Sequence, residues 1–581
     1  MKSEDTSPAL TAAQQAGAMN LLHCLLRELG TPAEREVLTW EGRTEGEDER
    51  KAEPALRLTL QQPQLLGAEL WVPLLSRWPE PQPQWPCWPD GRQPEPAALQ
   101  ALLLDEITAR TGHDSPNVRA DHALSTAFTA QFLAPHLAAA QPEPLPRGMN
   151  SFIRSEQDLL LGHRFHPSPK SRGELGLAGW RPYSPELQAA FPLEYLLVPH
   201  SRLLEGGAPG SRTELADRLT EVAEYAPPAG TALLPVHPVQ LQLLRQRDDF
   251  QAALRRGEME LLGARGRTFF PGTSLRTLYE PRSDTALKFG LNLRITNWVR
   301  RNITAEMQAS VALSEYLDAA FPAELRAQML LEPAYRGAAA PGEDGTPSEL
   351  QESLGVLQRE GTGRHLPAGG WLVPACTLFE EEVAGRPSWL RRIIQAAGVP
   401  LEEGLQRLYR SYLSSLLNLS LRCFEEFGVL LEPHLQNTVV AITPQLECRC
   451  LVRDMDSVRF IRGRVQPVPA GRAIPAATLD YASYSEEVAW QRLSYTLIVN
   501  NLFEVSKAAL RLAPALEAPL AEIYREVLQQ LARGGSLLAD YLLDDPVIWF
   551  KANLSTRWRG LRDSQAPFLR FPASTFSGHP L

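Results

Sequence analysis

His166, Lys170 and Arg172 fall within a single short stretch, "LGHRFHPSPKSRGEL", residues 161–175. Pro167 and Pro169 stiffen it and bar a helix through it. A rigid loop presenting an imidazole, an ammonium and a guanidinium suits a carboxylate or phosphate, because the cations are placed before the ligand arrives. His163 and His166 also have the i, i+3 spacing of two zinc ligands on one helical face, but the prolines remove that helix and no further ligand stands nearby in sequence. An anion site and a solvated loop are the two main readings, with zinc a remote third.

A second cluster is "PGTSLRTLYEPRSDTALKFGLNLRITNWVRRN", residues 271–302. Leu287, Phe289, Leu291, Leu293 and Ile295 alternate with Lys288, Gly290, Asn292, Arg294 and Thr296, which predicts a strand with one apolar and one polar face. Paired through a turn at 281–284 with a strand carrying Ser274, Arg276 and Thr277, it would turn Lys288 outward on the polar face. Thr296 or Asn297 is predicted to cap a helix bearing Arg300 and Arg301 in its first turns, and a helix start with arginines is an anion site. A solvated hairpin face is the alternative.

The third cluster, "GVLLEPHLQNTVVAITPQLECRCLVRDMDSVR", residues 428–459, reads as an apolar strand ending in Glu432, His434, Gln436 and Asn437, then a hairpin ending at Arg453-Asp454. That hairpin brings Asn437 and Asp454 to one end of a sheet. They are hard oxygen donors of the kind Mg2+ takes alongside substrate phosphates, a layout like the metal loops of kinase-like phosphotransferases. A satisfied polar network at a strand end is the alternative. In a fourth stretch, "VIWFKANLSTRW", residues 547–558, Lys551 sits among aromatics that predict partial burial. His237, in "LPVHPVQ", reads as a structural strand-to-turn residue.

Composition sharpens these readings. Only six of the 58 basic residues are lysines, so each lysine stands out against an arginine background. The net charge of -10 argues against nonspecific nucleic-acid binding but permits a local cationic pocket. Six scattered cysteines suggest neither a disulfide framework nor a zinc knuckle. No run approaches the roughly 18 apolar residues of a membrane span, and "MKSEDTSPAL" lacks a signal layout, so a cytoplasmic protein with no membrane partner is expected. No phosphate-loop, Gly-x-Gly-x-x-Gly or Gly-x-Ser-x-Gly motif occurs, so a nucleotide would be held another way.

The elements that must position these residues divide into three units, as the length of 581 residues allows. Residues 1–147 are predicted to be mainly helical, with helices over 7–29, 97–111 and 117–140, strand-like runs at 35–40 and 55–60, and a proline-rich loop at 77–96. Residues 148–335 mix strands and helices. Residues 336–581 start in a Gly/Ala/Pro-rich surface loop at 336–349 and carry a long amphipathic helix through Leu405, Leu408, Tyr412, Leu416, Leu419 and Cys423, stopped by Gly428.

Taken in order, "GHRFHPSPKSR", "SLRT", "KFGLNLRITNWVR", "EPHLQN" and "RDMDSVR" resemble the motifs of siderophore synthetases independent of nonribosomal peptide synthetases, the aerobactin-synthetase (IucA/IucC-like) family. The resemblance runs from about residue 150 to the end. It implies an α+β fold shaped like a cupped hand, with a helical thumb, mixed fingers and a kinase-like palm, and a homodimer. It implies ATP and Mg2+ as cofactors and adenylation of a carboxylate of citrate or a related acid. A polyamine, hydroxylated amine, amino acid or hydroxyl compound then displaces AMP. Carried over by motif, Ser274, Arg276, Thr277, Lys288, Arg300, His434, Gln436 and Asn437 would hold ATP, with Lys288, Arg300 and His434 closest to the chemistry. His166, Lys170, Arg172, Thr296, Arg300, His434 and Lys551 would hold the acid, and Glu432, Asn437 and Asp454 the metal. Two departures stand out: Met-Asp-Ser follows Arg453-Asp454 where a glycine is frequent, and Arg164 stands between the histidines where a small residue or proline is frequent. A kinase-like phosphotransferase and a non-catalytic binder of ferric siderophore or citrate are the other functions that the clusters allow.

Overall fold

Prolines start the helices of the amino-terminal stretch. Pro8, Pro96 and Pro116 each occupy a first helical position, opening Pro8–Leu29, Pro96–Thr111 and Pro116–Ala138. The computed structural model describes residues 7–42, 51–139, 144–173, 175–295, 298–340, 342, 345–383, 385–466, 474–562 and 565–572. The first helix buries Ala18, Leu21, Leu22 and Leu25 at three and four spacing. That face packs on the next two helices and on an antiparallel sheet of Leu38–Gly42, Lys51–Thr59, Glu69–Ser76 and Gln82–Pro83. The unit predicted to be mainly helical is thus helices over a sheet.

The central sheet has eight strands among the described residues, in the order Leu203–Gly206, Ala334–Ala338, Gly355–Arg359, Thr285–Phe289, Thr277–Glu280, Glu260–Pro271, Phe191–Pro199 and Thr231–Val236. A third sheet orders Met329–Leu330, Cys448–Arg453, Thr438–Ile442 and Trp371–Pro374. The helix Leu401–Phe427 backs that sheet and ends at Gly428, whose φ of 63° is the left-handed cap glycine accepts readily. No helix of the described residues is long and apolar enough to cross a membrane.

Three expectations are corrected. The boundary at 335/336 falls inside the buried strand Ala334–Ala338, so the loop predicted from 336 begins within the central sheet. Small residues there serve close strand packing: a side chain at Gly337 would meet the Leu354 carbonyl at 3.0 Å. The single strand predicted through 287–295 is two, Thr285–Phe289 in the central sheet and Leu291–Ile295 in a separate hairpin with Trp298–Arg300. They part at Gly290, where a Cβ would lie 3.0 Å from the Asn302 nitrogen. The helix predicted to carry Arg300 and Arg301 begins only at Thr304, its first N–H capped by the Glu352 carboxylate at 2.6 Å. Arg300 instead ends a strand, as the aromatic and β-branched pair Trp298-Val299 favours.

Candidate active site

The three stretches meet around a cavity of about 430 Å³. Ser274, Arg276, Thr277, Lys288, Arg300, His434, Gln436, Asn437, Asp454, His166, Lys170, Arg172 and Lys551 all line it, so residues scattered over most of the chain share one wall. Thr296 and its neighbour Asn297 lie outside the described residues.

The first part of the wall is the tight turn 272–277. Gly272 donates to the Thr277 carbonyl (2.9 Å), and the Ser274 hydroxyl accepts from the Thr277 N–H (3.2 Å). Leu275 is buried at φ 66°, a costly conformation for such a side chain. Arg276 is steadied by Asn302, whose Oδ1 accepts from it at 2.8 Å while its amide donates to the carbonyls of Lys288 (2.9 Å) and Gly355 (3.1 Å). One asparagine therefore ties the turn to two neighbouring strands.

Lys288 does not face outward as predicted. It is 2% exposed and ion-paired to Asp454, with Glu332 at 3.7 Å. Arg359 completes the group, donating to Glu332 at 2.7 Å and approaching Asp454 at 3.3 Å. The sheet places these charges on an inner face because strand 285–289 is buried on both sides. Burial alone would raise the Asp454 carboxyl, but Lys288, Arg359 and Arg276 outweigh it and hold it well below the usual carboxylate range. Asp454 adopts φ 77°, so the backbone geometry a glycine would serve is present at the aspartate itself.

Asn437 and Asp454 stand side by side, since strands 438–442 and 448–453 pair and Arg453 donates to the Asn437 carbonyl at 3.0 Å. Glu432 is not brought there: it is absent from the cavity wall, and its carboxylate pairs with Arg492 at 2.9 Å. Of the expected metal ligands, the structure collects two. Arg453 braces the region, pairing with buried Glu156 and donating to Tyr279 Oη (2.9 Å), Thr273 Oγ1 (3.3 Å) and the Gln436 carbonyl (2.8 Å). A ten-residue π-helix, Ser494–Phe503, holds the 433–438 loop from behind. The Asn500 carbonyl accepts from Leu435 N–H (3.2 Å), and Asn501 Nδ2 donates to the Pro433 carbonyl (2.6 Å). Burial keeps His434 down at about 4, so its imidazole is neutral at neutral pH.

In the 161–172 loop, His166 Nδ1 accepts from Ser168 N–H (3.1 Å), and Nε2 lies 3.1 Å from Arg557. Lys170 and Arg172 are committed elsewhere. Both pair with buried Glu186, Lys170 at 2.8 Å, and Arg172 also donates to Ser184 Oγ (2.8 Å). They fix the loop rather than present two available cations, a correction to the expected acid-binding set. Burial would raise the Glu186 carboxyl, but its two cations hold it at about 2. His163 is exposed on the cavity wall, its Nδ1 accepting the Phe165 N–H at 3.0 Å. His237 caps the helix Pro238–Leu244, as its strand-to-turn position suggested. Lys551 ends the strand Val547–Lys551 half-buried on the cavity wall. Sequence reasoning missed Asn302, Arg359, Glu332, Glu186 and Arg557. Only Arg359 stood in a readable setting, on an apolar strand where a charge is unusual.

Comparisons with known proteins bear on the fold. The family model described as "IucA / IucC family" matches residues 151–380, and that described as "Ferric iron reductase FhuF-like transporter" matches residues 406–566. The chain is 29% identical to L-2,3-diaminopropanoate–citrate ligase of Staphylococcus aureus over 60% of its own length and 61% of that protein's, under two thirds of the relative. It is 26% identical to spermidine-citrate ligase of Bacillus anthracis over 70% of each chain. ATP-bound aerobactin synthetase IucA from a hypervirulent pathotype of Klebsiella pneumoniae superposes with a TM-score of 0.77, covering 97% of this chain and 99% of that one at 21% identity, a shared fold throughout. With its motifs in order, its residues 151–380 matched by the IucA / IucC family model and its fold shared from end to end with an aerobactin synthetase, the chain is similar to the IucA / IucC family.

Proposed function

We propose that this chain is an ATP-dependent ligase that activates a carboxylate of citrate or a related acid and joins it to an amine or hydroxyl, releasing AMP and pyrophosphate. The observation that carries the reading is convergence. In a chain of net charge -10, cations from separate stretches, among them Arg276, Lys288, Arg300 and Lys551, line one cavity. ATP, citrate and pyrophosphate are all anions that such a wall would hold, and the citrate ligases to which the chain is similar support citrate as the acid.

The residues divide the work. Ser274, Arg276, Thr277 and Lys288 would bind the phosphates, Gln436 and Asn437 the rest of the nucleotide, and His166, His434 and Lys551 the acid, with Arg300 between the two. An acid carboxylate oxygen attacks the α-phosphorus as the bond to pyrophosphate breaks. The amine then attacks the activated carbonyl carbon, the bond to AMP breaks, and the amine proton is lost. Neutral His434 can donate a hydrogen bond without adding charge. Lys288, at rest on Asp454, can transfer its charge to incoming phosphate. Asp454 and Asn437 offer two oxygens that fit a Mg2+ ion completed by phosphate oxygens, which would offset phosphate charge. Holding the reactants in line can supply roughly 7–11 kcal/mol of the barrier reduction. A cytoplasmic homodimer built of three units belongs to the same proposal.

Citrate-dependent exchange of pyrophosphate into ATP, with AMP as the nucleotide product, is the expected result. ADP instead of AMP would move the assignment to a kinase-like phosphotransferase. The FhuF-like match favours a second reading, a ferric-siderophore or citrate binder, and no turnover with any acid and amine would support it. That reading leaves Asn437 and Asp454 without a role.

A further inference from the structure

A second cavity, of about 250 Å³, adjoins the first, and the two share Glu380, Glu381 and Arg511. Two charges on this shared wall make no ion pair among the described residues. Arg511 has no carboxylate within ion-pair distance among the described residues. Its Nη2 reaches only the Phe379 carbonyl, at 3.4 Å, and its buried Nη1 has no hydrogen-bond partner. Glu380 likewise has no cation at ion-pair distance among the described residues. Its oxygens accept the N–H groups of Leu160, Leu161 and Gly162 at 3.0, 2.7 and 3.3 Å, which pins the carboxylate in place. Burial, then Arg164, pull Arg511 down to about 10 against the opposing effect of Glu381 and Glu504, and burial pushes Glu380 up to about 7 against Lys170, so in each case the more distant counter-charges do not make up for the burial.

The neighbouring charges are already taken. Glu381 is paired with Arg164, and Glu504 with Lys507. A buried ion without a partner is strongly destabilising, so a ligand that supplied both counter-charges would be bound for both reasons. A polyamine supplies cations only and would set one against Arg511. A zwitterion supplies a carboxylate and an ammonium together.

We infer that the second substrate is an amino acid bearing a further amine or hydroxyl, its carboxylate held by Arg511 and its ammonium by Glu380, with the remaining nucleophile reaching into the main cavity. The inference rests on the ligase reading above and narrows its amine to one class.

The test compares amino acids with counterparts that lack only the carboxylate: 2,3-diaminopropanoate against 1,2-diaminoethane, and ornithine against 1,4-diaminobutane. Binding is read by calorimetry on the full chain with citrate and a non-hydrolysable ATP analogue, so no turnover is needed. At least one amino acid should bind about tenfold or more tightly than its counterpart, the scale of one buried charge-assisted contact. In Arg511→Met that ratio should fall towards one. Diamines binding as tightly as the amino acids in both pairs would overturn the inference, as would no detectable binding of any of the four. So would an unchanged ratio in an Arg511→Met protein that melts like the parent; if that variant does not fold, the parent's ratio decides alone. Citrate-dependent pyrophosphate exchange, measured without amine, separately reports whether the adenylation reading fails.

Discussion

At the scale of single residues, the site depends on buried charges that neutralise one another until substrates arrive. Removing Lys288 leaves Glu332, 0% exposed, and Asp454 with Arg359 as their nearest remaining cation. Lys288→Met should therefore cut citrate-dependent pyrophosphate exchange by roughly 100-fold or more and cost about 3 kcal/mol in urea unfolding. Glu186 gives a pH prediction. Its folded value of about 2 lies below its ordinary 4.5, so between those values the unfolded chain binds more protons than the native one. Its contribution is complete above pH 4.5 and is lost as pH falls towards 2. Glu186→Gln should cost about 3 kcal/mol at pH 7 by stranding Lys170 and Arg172. The gap to the parent should narrow across that acid window, measured by urea titrations at a series of pH values. The lysine rarity flagged Lys170 and Lys288, but sequence could not show that both are ion-paired, because Asp454 lies 166 residues from Lys288 and Glu186 is brought to Lys170 only by the fold of the loop between them.

At the scale of elements, the long helices were legible and the breaks were not. The helix Leu401–Phe427 follows its apolar spacing and its terminal glycine as read. Alternation from 287 to 295 was real, yet the chain changes sheets at Gly290 because Asn302 approaches there, a contact that no local pattern encodes. The π-helix was equally invisible. Within it Asn501 is 0% exposed, donates to Pro433 and Thr438 and accepts from Tyr412 Oη at 2.7 Å. It acts as a positioning residue for the 434–437 loop. Asn501→Leu should cost about 2 kcal/mol and raise KM for ATP and citrate together in the exchange assay, a joint shift that loss of stability alone would not produce.

At the scale of the whole molecule, the carboxyl-terminal segment closes the site by returning to the amino-terminal unit. Glu28 accepts the N–H groups of Leu554 (2.7 Å) and Ser555 (2.9 Å), and Leu554 and Trp558 complete the core of the first unit. Arg557 reaches Ser168 Oγ (2.7 Å) and Asp121 (2.7 Å), holding the 161–172 loop in place. Deleting residues 547–581 should abolish citrate-dependent exchange and lower Tm by about 5 °C or more in scanning calorimetry, even though most of the cavity wall lies elsewhere.

The sequence by itself determined the amino-terminal helices and the helix Leu401–Phe427, the hairpin that joins Asn437 to Asp454, and the ordered clusters of cationic and polar residues. Those follow from spacing, from the conformations open to proline and glycine, and from the chemistry of residue types, all of which act locally. Only the tertiary structure decided which charges remain for substrates. Lys170 and Arg172 are committed to Glu186, and Glu432 to Arg492, whereas Arg511 and Glu380 make no ion pair among the described residues. A charge's availability depends on what lies within a few ångströms of it, and chain-distant contacts set that distance.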